Sequence, residues 1–255
     1  MFKNKLKHKL YNGESAFGTF IAINSPDIVE ICGLLGFDFV VLDGEHGYIS
    51  PETSIPMIRA AEACGMTPVV RVCENSESLI LRTLDVGAHG IHVPQINSKE
   101  AAENAVKYAK YHPYGKRGVS FHRACGYGIF DINEYMEREN SETLVIFHCE
   151  NISALEHIDE IAATEGLDVL IFGPFDMSQS MGIPGKTDDP MVEAAAQKML
   201  DACKRHGKIA GIFTSNAEDA EKRIKQGFRY MPVGVDCKII ADTYGKLIKS
   251  LNSIK

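Results

Sequence analysis

Long hydrophobic runs are missing from this sequence, and so is most of what would tie it to a membrane, a nucleic acid or an oxidising compartment. No apolar stretch reaches the roughly 18 residues that a bilayer-spanning helix needs, so no transmembrane helix is expected. Residues 1–13, MFKNKLKHKLYNG, have the charges of a signal peptide without its apolar middle section and read as a short amphipathic helix. Positive charge is outnumbered: 27 Lys and Arg against 34 Asp and Glu give a net charge of -7, which argues against nucleic acid or an anionic membrane as the main partner. A small anionic substrate stays compatible, because local cations override a global field. The seven cysteines (Cys32, Cys64, Cys73, Cys125, Cys149, Cys203, Cys237) are odd in number, scattered, and form no C-x-x-C pair. Each reads as a small apolar filler, and a reducing cytoplasm is the expected setting.

Two chemical absences narrow the reading further. There is no glycine-rich fingerprint after the first apolar run, which passes into Ala22-Ile23-Asn24-Ser25-Pro26, and none at Thr214-Ser215-Asn216 or Gly234-Val235-Asp236 near the end of the chain. Dinucleotide and phosphate cradles of the usual kind are therefore not supported. Lysine is also scarce where a Schiff-base enzyme needs it; Lys238 is the one near candidate.

What is present is a rhythm. Eight strand-like runs (16–23, 37–42, 67–72, 90–95, 143–149, 168–172, 209–213 and 230–235) alternate with segments of helical spacing, such as Ile28, Ile31, Leu34 and Leu35, or Ile55, Ile58, Ala61 and Cys64. Ser25-Pro26, Ser50-Pro51 and Ser98 stand at helix entries as caps or first-turn residues. Successive βα units over 255 residues match one (β/α)₈ TIM barrel, roughly 250 residues long, so a single domain over 1–255 is expected, with a doubly wound sheet as runner-up. Two segments depart from the rhythm. Residues 111–140, YHPYGKRGVSFHRACGYGIFDINEYMEREN, are too long for a passive connector and read as a lid, a binding loop or a subunit contact; Arg117, Arg123, His112 and His122 lie within them. Beyond the last strand, 236–251 reads as an extra C-terminal helix with Ile239, Ile240, Tyr244, Leu247 and Ile248 on one face.

Polar residues at strand ends supply the candidate chemistry, because in such barrels the loops after the strands carry the reacting groups. FDFVVLDGEHG at 37–47 ends a buried strand with Asp43 and His46, Arg71 ends strand three, Glu150 ends strand five and Asp176 follows strand six. A charge at the end of an apolar strand costs several kcal/mol if unpaired, so each needs a partner, a metal or a ligand. Glu150 and Asp176 suit a hard divalent cation, Mg²⁺ or Mn²⁺ foremost with Co²⁺ or Zn²⁺ as alternatives; as helix-capping acids they need none. Arg71 fits a planar carboxylate, on a substrate or on Asp43 or Glu45. His46 is the natural general acid or base, with Asp43 orienting it. Strand parity turns His148 inward one layer below Glu150, as a metal ligand, a partner of one, or a satisfied core histidine. Gly173-Pro174 either frees backbone N–H groups for an anion or forms a plain turn.

These stretches resemble the HpcH/HpaI aldolase family, the metal-dependent pyruvate aldolases, over about 10–240. The motifs are GFDFVVLDGEHG at 36–47, PVVRV at 68–72, HPYGKRGVS at 112–120, CENISALEHIDEIAATEGLDVLIFGPFDMSQSMG at 149–182 and PVGVD at 232–236. The resemblance implies a carbon–carbon lyase that cleaves 4-hydroxy-2-oxo acids to pyruvate and an aldehyde. It further implies that Glu150 and Asp176 hold the metal, Arg71 polarises or grips the keto acid, His46 backed by Asp43 moves protons, and the 173–176 turn binds the carboxylate, with His148 near the substrate. A homohexamer built as a trimer of dimers, with the C-terminal helix exchanged, is the implied assembly. His148 departs from the glutamine common at that position, and HRACGYG differs from the commoner form of the long segment. A citrate-forming condensation on the same fold, and a barrel that binds without catalysis, are the alternatives.

Overall fold

The computed structural model describes residues 3–254. Eight parallel strands, β1 (Ala16–Ile21), β2 (Phe39–Asp43), β3 (Thr67–Arg71), β4 (Gly90–Val93), β5 (Leu144–Cys149), β6 (Val169–Phe172), β7 (Ile209–Ile212) and β8 (Tyr230–Val235), pair in sequence order into a closed barrel. Pairing of β1 with β8, Ala16 opposite Tyr230, closes the cylinder and rules out the open doubly wound sheet. All eight expected strands are present, most of them a residue or two shorter than the apolar runs that announced them.

Among the described residues twelve α-helices complete the architecture: α1 (Lys5–Tyr11), α2 (Pro26–Leu34), α3 (Pro51–Ala63), α4 (Glu77–Asp85), α5 (Lys99–Ala109), α6 (Ile132–Glu142), α7 (Ile152–Glu156), α8 (Ile158–Ala162), α9 (Pro174–Ser180), α10 (Pro190–His206), α11 (Ala217–Gln226) and α12 (Asp236–Asn252). Ser25, Ser50 and Ser98 accept hydrogen bonds from Ile28, Thr53 and Ala101 N–H groups, which fixes where α2, α3 and α5 begin. Among the described residues no helix is long and apolar enough to cross a membrane. The N-terminal helix forms within the expected segment, whose Met1 and Phe2 lie outside the described residues; its Leu6 and Leu10 plug the N-terminal end of the barrel.

Strand alternation divides the core. Phe39, Val41, Val69, Ile146, Ile171 and Tyr230 point into the barrel, while Val40, Leu42, Val70, Phe147, Leu170 and Phe172 face the helices. Near the N-terminal end the rings of Phe39 and Tyr230 stack with centroids 4.3 Å apart. Gly18 leaves room for them, since a Cβ there would stand 2.4 Å from the Phe39 ring.

The helically spaced set at α2 divides: Ile28 packs against the core, Ile31, Leu34 and Leu35 are exposed, and Val29 and Cys32 are buried. Two expectations change. Residues 111–140 do not cover the mouth of the barrel. Arg123 pairs with Glu62 at the end of α3 and bonds the Val86 carbonyl, and Arg117 bonds Asp85 at 2.8 Å, all at helix C-termini near the N-terminal ends of the strands. Lys238 lies exposed on α12, ion-paired with Asp242 and away from the barrel interior.

Gly18→Ala forces its methyl against the Phe39 ring and backbone. The expected cost is about 1–3 kcal/mol, a fall in Tm of several degrees. A thermal melt of the variant at wild-type stability would contradict this account of the lower core.

Candidate active site

Parity and strand length bring the polar residues to one end. Asp43, Arg71, His148 and Glu150 continue the inward-facing positions of β2, β3 and β5, so they crown the apolar interior at its C-terminal mouth. A cavity of about 270 Å³ opens there. Asp43, His46, Arg71, His148, Gly173, Pro174 and Asp176 line it, with Phe20, Phe175 and Phe213 as its apolar walls.

Arg71 is the electrostatic centre of the mouth. Its guanidinium is almost wholly buried and donates a fork to Asp43, from Nε at 2.9 Å and Nη2 at 2.6 Å. Nη1 stands 2.9 Å from Glu45 Oε2, and the Phe20 ring lies under the guanidinium at 4.9 Å. Asp43 also accepts the backbone N–H groups of Glu45 and His46 at 3.0 and 3.2 Å, so it organises the loop that presents His46. The contact between Asp43 and His46 runs through that backbone N–H; the imidazole itself stands exposed at the cavity. Burial works to raise the Asp43 carboxyl, but the Arg71 bonds and charge and the two N–H groups hold it below the ordinary carboxylate range. Burial pushes the neighbouring Glu45 carboxyl up against the pull of Arg71, and the Glu150 charge adds to the rise.

Glu150 and Asp176 approach from adjacent strands. Asp176 sits in the first turn of α9, and Glu150 is buried just past β5. Gly173 separates them: a Cβ on it would stand 3.2 Å from Glu150 Cβ and 3.8 Å from an oxygen of each carboxylate. With no methyl there, both carboxylates border the space beside Gly173. Among the described residues no group of three or more His, Cys, Asp or Glu side chains converges as a metal site. Two carboxylates alone match a hard cation that keeps several waters, and they do not match zinc, whose protein sites take three or four ligands.

Glu150 is already oriented by the protein. Oε1 accepts the Gln95 backbone N–H at 2.7 Å, and Oε2 stands 3.0 Å from His148 Nδ1. Burial works to raise this carboxyl, yet His148, the Gln95 N–H and Arg71 hold it below its ordinary value. The other His148 nitrogen, Nε2, stands 2.8 Å from His92 Nδ1. Both His148 nitrogens are hydrogen-bonded within the protein, so the ring supports Glu150 while its edge lines the cavity, in keeping with the alternative of a partner to a metal ligand.

Gln95 and His92 escaped the sequence reading. Gln95 has φ 54, a left-handed conformation that a non-glycine residue adopts at a cost, and this aims its N–H at Glu150. Nothing in the sequence signals that. His92 did have a signal: in Gly90-Ile91-His92-Val93 it is a polar residue at an inward position, the same reasoning that found His148. Asp236, in the PVGVD motif, proves structural, accepting the Ala22 and Ile23 N–H groups and so tying β8 to the end of β1.

The comparisons agree with this architecture. The family model described as HpcH/HpaI aldolase/citrate lyase matches residues 16–243. A 5-keto-4-deoxy-D-glucarate aldolase of Shigella boydii is 35% identical over 254 residues, covering 96% of this chain and 98% of that protein. The crystal structure of an HpcH/HpaI aldolase from Desulfitobacterium hafniense superposes with a TM-score of 0.91 at 31% identity, covering 98% of this chain and 96% of that one. The citrate synthase SbnG superposes with a TM-score of 0.88 at 36% identity, covering 97% and 98%.

Asp43→Asn removes the charge that neutralises a buried guanidinium, and the expected destabilisation at neutral pH is roughly 3 kcal/mol. The folded pKa of Asp43 is depressed below its ordinary 3.8. Its contribution is therefore complete above that value and is lost as pH falls through the lower folded value. Denaturant melts between pH 7 and pH 2 should show the variant losing less stability on acidification than the parent. Parallel curves would show that Asp43 carries no such linkage.

Proposed function

The chain belongs to the HpcH/HpaI aldolase/citrate lyase family, and from that premise we propose that it is a divalent-metal-dependent aldolase cleaving 4-hydroxy-2-oxo acids to pyruvate and an aldehyde. The observation that carries the reading is the pair of carboxylates, Glu150 and Asp176, both close beside Gly173, with Gly173 and Asp176 lining the cavity that Arg71 and His46 also line. Glu150 and Asp176 would hold the cation, for which Mg²⁺ or Mn²⁺ suits the all-oxygen donor set. When bound, the metal supplies a Lewis acid for the negative charge that develops on a keto acid as its C–C bond breaks.

The residues of the chain do the rest. Arg71, anchored on Asp43 and backed by Phe20, presents a fixed positive charge toward the cavity and stabilises an oxygen that becomes anionic in the transition state. Because its fork is already engaged, Arg71 acts on substrate as preorganised charge, without a second bidentate grip. His46, exposed on the loop that Asp43 holds, takes the proton of the 4-hydroxyl and returns it in the reverse direction. The Gly173-Pro174 turn borders the position for the substrate carboxylate, and Phe20, Phe175 and Phe213 keep the reacting end dry.

The likeness to a citrate synthase supports a second reading, condensation of acetyl-CoA with oxaloacetate, and turnover of acetyl-CoA separates the two. The proposed setting is the cytoplasm, in keeping with seven free thiols. The proposed assembly is a homohexamer arranged as a trimer of dimers. Its support is α12, which leaves Ile240, Tyr244, Leu247, Ile248 and Leu251 exposed along one side.

Pyruvate release from a panel of 4-hydroxy-2-oxo acids is expected to require a divalent cation. It should fall by at least 100-fold in chelator and in Glu150→Ala or Asp176→Ala, and His46→Ala should lower kcat more than it raises KM. Full activity in chelator would overturn the metal-dependent reading. Light scattering on the purified protein should give six subunits, and a single-subunit mass would overturn the proposed assembly.

A further inference from the structure

Behind Glu150 a line of hydrogen bonds descends the barrel axis into the apolar core. Glu150 Oε2 meets His148 Nδ1 at 3.0 Å, His148 Nε2 meets His92 Nδ1 at 2.8 Å, and His92 Nε2 meets the Tyr230 hydroxyl at 2.7 Å. Glu150 and His148 are nearly inaccessible, and His92 and Tyr230 are completely so. The line starts where Tyr230 stacks on Phe39, far below any surface a substrate could reach.

Hydrogen-bond arithmetic leaves one arrangement of protons. A carboxylate only accepts, so His148 Nδ1 carries hydrogen. Where His148 accepts at Nε2, the hydrogen between the rings sits on His92 Nδ1, and His92 in turn accepts at Nε2 from the Tyr230 hydroxyl. Every donor points toward Glu150. The reverse order needs a charged His148, and it would leave the buried phenol proton with no acceptor among the described residues, a cost of about 1–3 kcal/mol. Burial foremost, with the Arg71 charge adding to it, holds His92 far toward its neutral form, and burial keeps the Tyr230 phenol protonated.

We propose that Tyr230 and His92 are positioning residues for the cation site: acting through His148, they lock one tautomer of a relay that holds the Glu150 carboxylate in a single orientation and keeps His148 off the metal. The proposal rests on the reading of Glu150 as a cation ligand. Metal-ligating groups depend on the partners behind them, whose removal typically weakens metal binding about 10- to 100-fold. Here the supporting line reaches two residues further than one partner.

Two measurements test it. In the metal-free protein, ¹⁵N spectra of the imidazoles of His92 and His148 should show both rings protonated at Nδ1 and bare at Nε2; the opposite tautomer in either would overturn the relay. Mn²⁺ titrations followed by electron paramagnetic resonance should show Tyr230→Phe, which keeps the stacked ring and loses only the hydroxyl, binding about 10-fold more weakly. His148→Gln keeps a donor for Glu150 and has no second ring nitrogen to transmit the pattern. In that background Tyr230→Phe should change Mn²⁺ affinity by less than about twofold. Equal losses in both backgrounds would show mere packing and overturn the proposal. Unchanged Mn²⁺ affinity in Glu150→Ala would overturn the metal assignment and the relay's purpose with it, whereas loss in Glu150→Ala with wild-type affinity in Tyr230→Phe would overturn the relay alone.

Discussion

Charge taken out of water has to be balanced where it lies, and in this barrel Arg71 is the point of balance. One guanidinium grips Asp43 through two parallel bonds, stands against Glu45 and favours the charged form of Glu150. The fork matters more than the charge alone, since a planar donor fixes the direction of the carboxylate it holds. Asp43, held so, spends its remaining capacity on two backbone N–H groups, and the loop bearing His46 takes its shape from them. A single ion pair thus sets both the field in the cavity and the position of the imidazole beside it.

Below that layer the barrel interior is graded. The lower end is dry, built from the Phe39–Tyr230 stack and closed by Leu6 and Leu10 of α1. The upper end carries acids, and the two ends are joined through His92 and His148, each ring accepting from the layer below and donating to the one above. Polar groups can sit inside an otherwise apolar cylinder because each is hydrogen-bonded to the next. The insertion at 111–140 adds its ion pairs to the opposite face of the barrel, which leaves the mouth open.

Much of this was legible from residue order. Strand parity is a property of the extended backbone, so residues 43, 71, 148 and 150 could be assigned to one side of the sheet before any pairing was known. The same logic reached His148 and would have reached His92. It could not reach Gln95, whose left-handed backbone lies in the turn after β4, nor the partnership of Tyr230 with His92, 138 positions earlier. For α2, helical spacing identified the helix and left open which apolar residues turn inward; Val29 and Cys32 are buried, and Ile31 and Leu34 are exposed.

The sequence by itself determined the succession of eight strands, the helix entries at their serine caps, and the kinds of side chain that end each strand, because all of these depend on neighbours within a few residues. Tertiary structure decided the matters that depend on closure. Only when β8 paired with β1 did Tyr230 come to lie beneath His92, and only the packing of β5 beside β6 brought Glu150 and Asp176 together beside Gly173. Distances across a barrel are fixed by stagger and tilt of the whole sheet, a quantity no local pattern encodes.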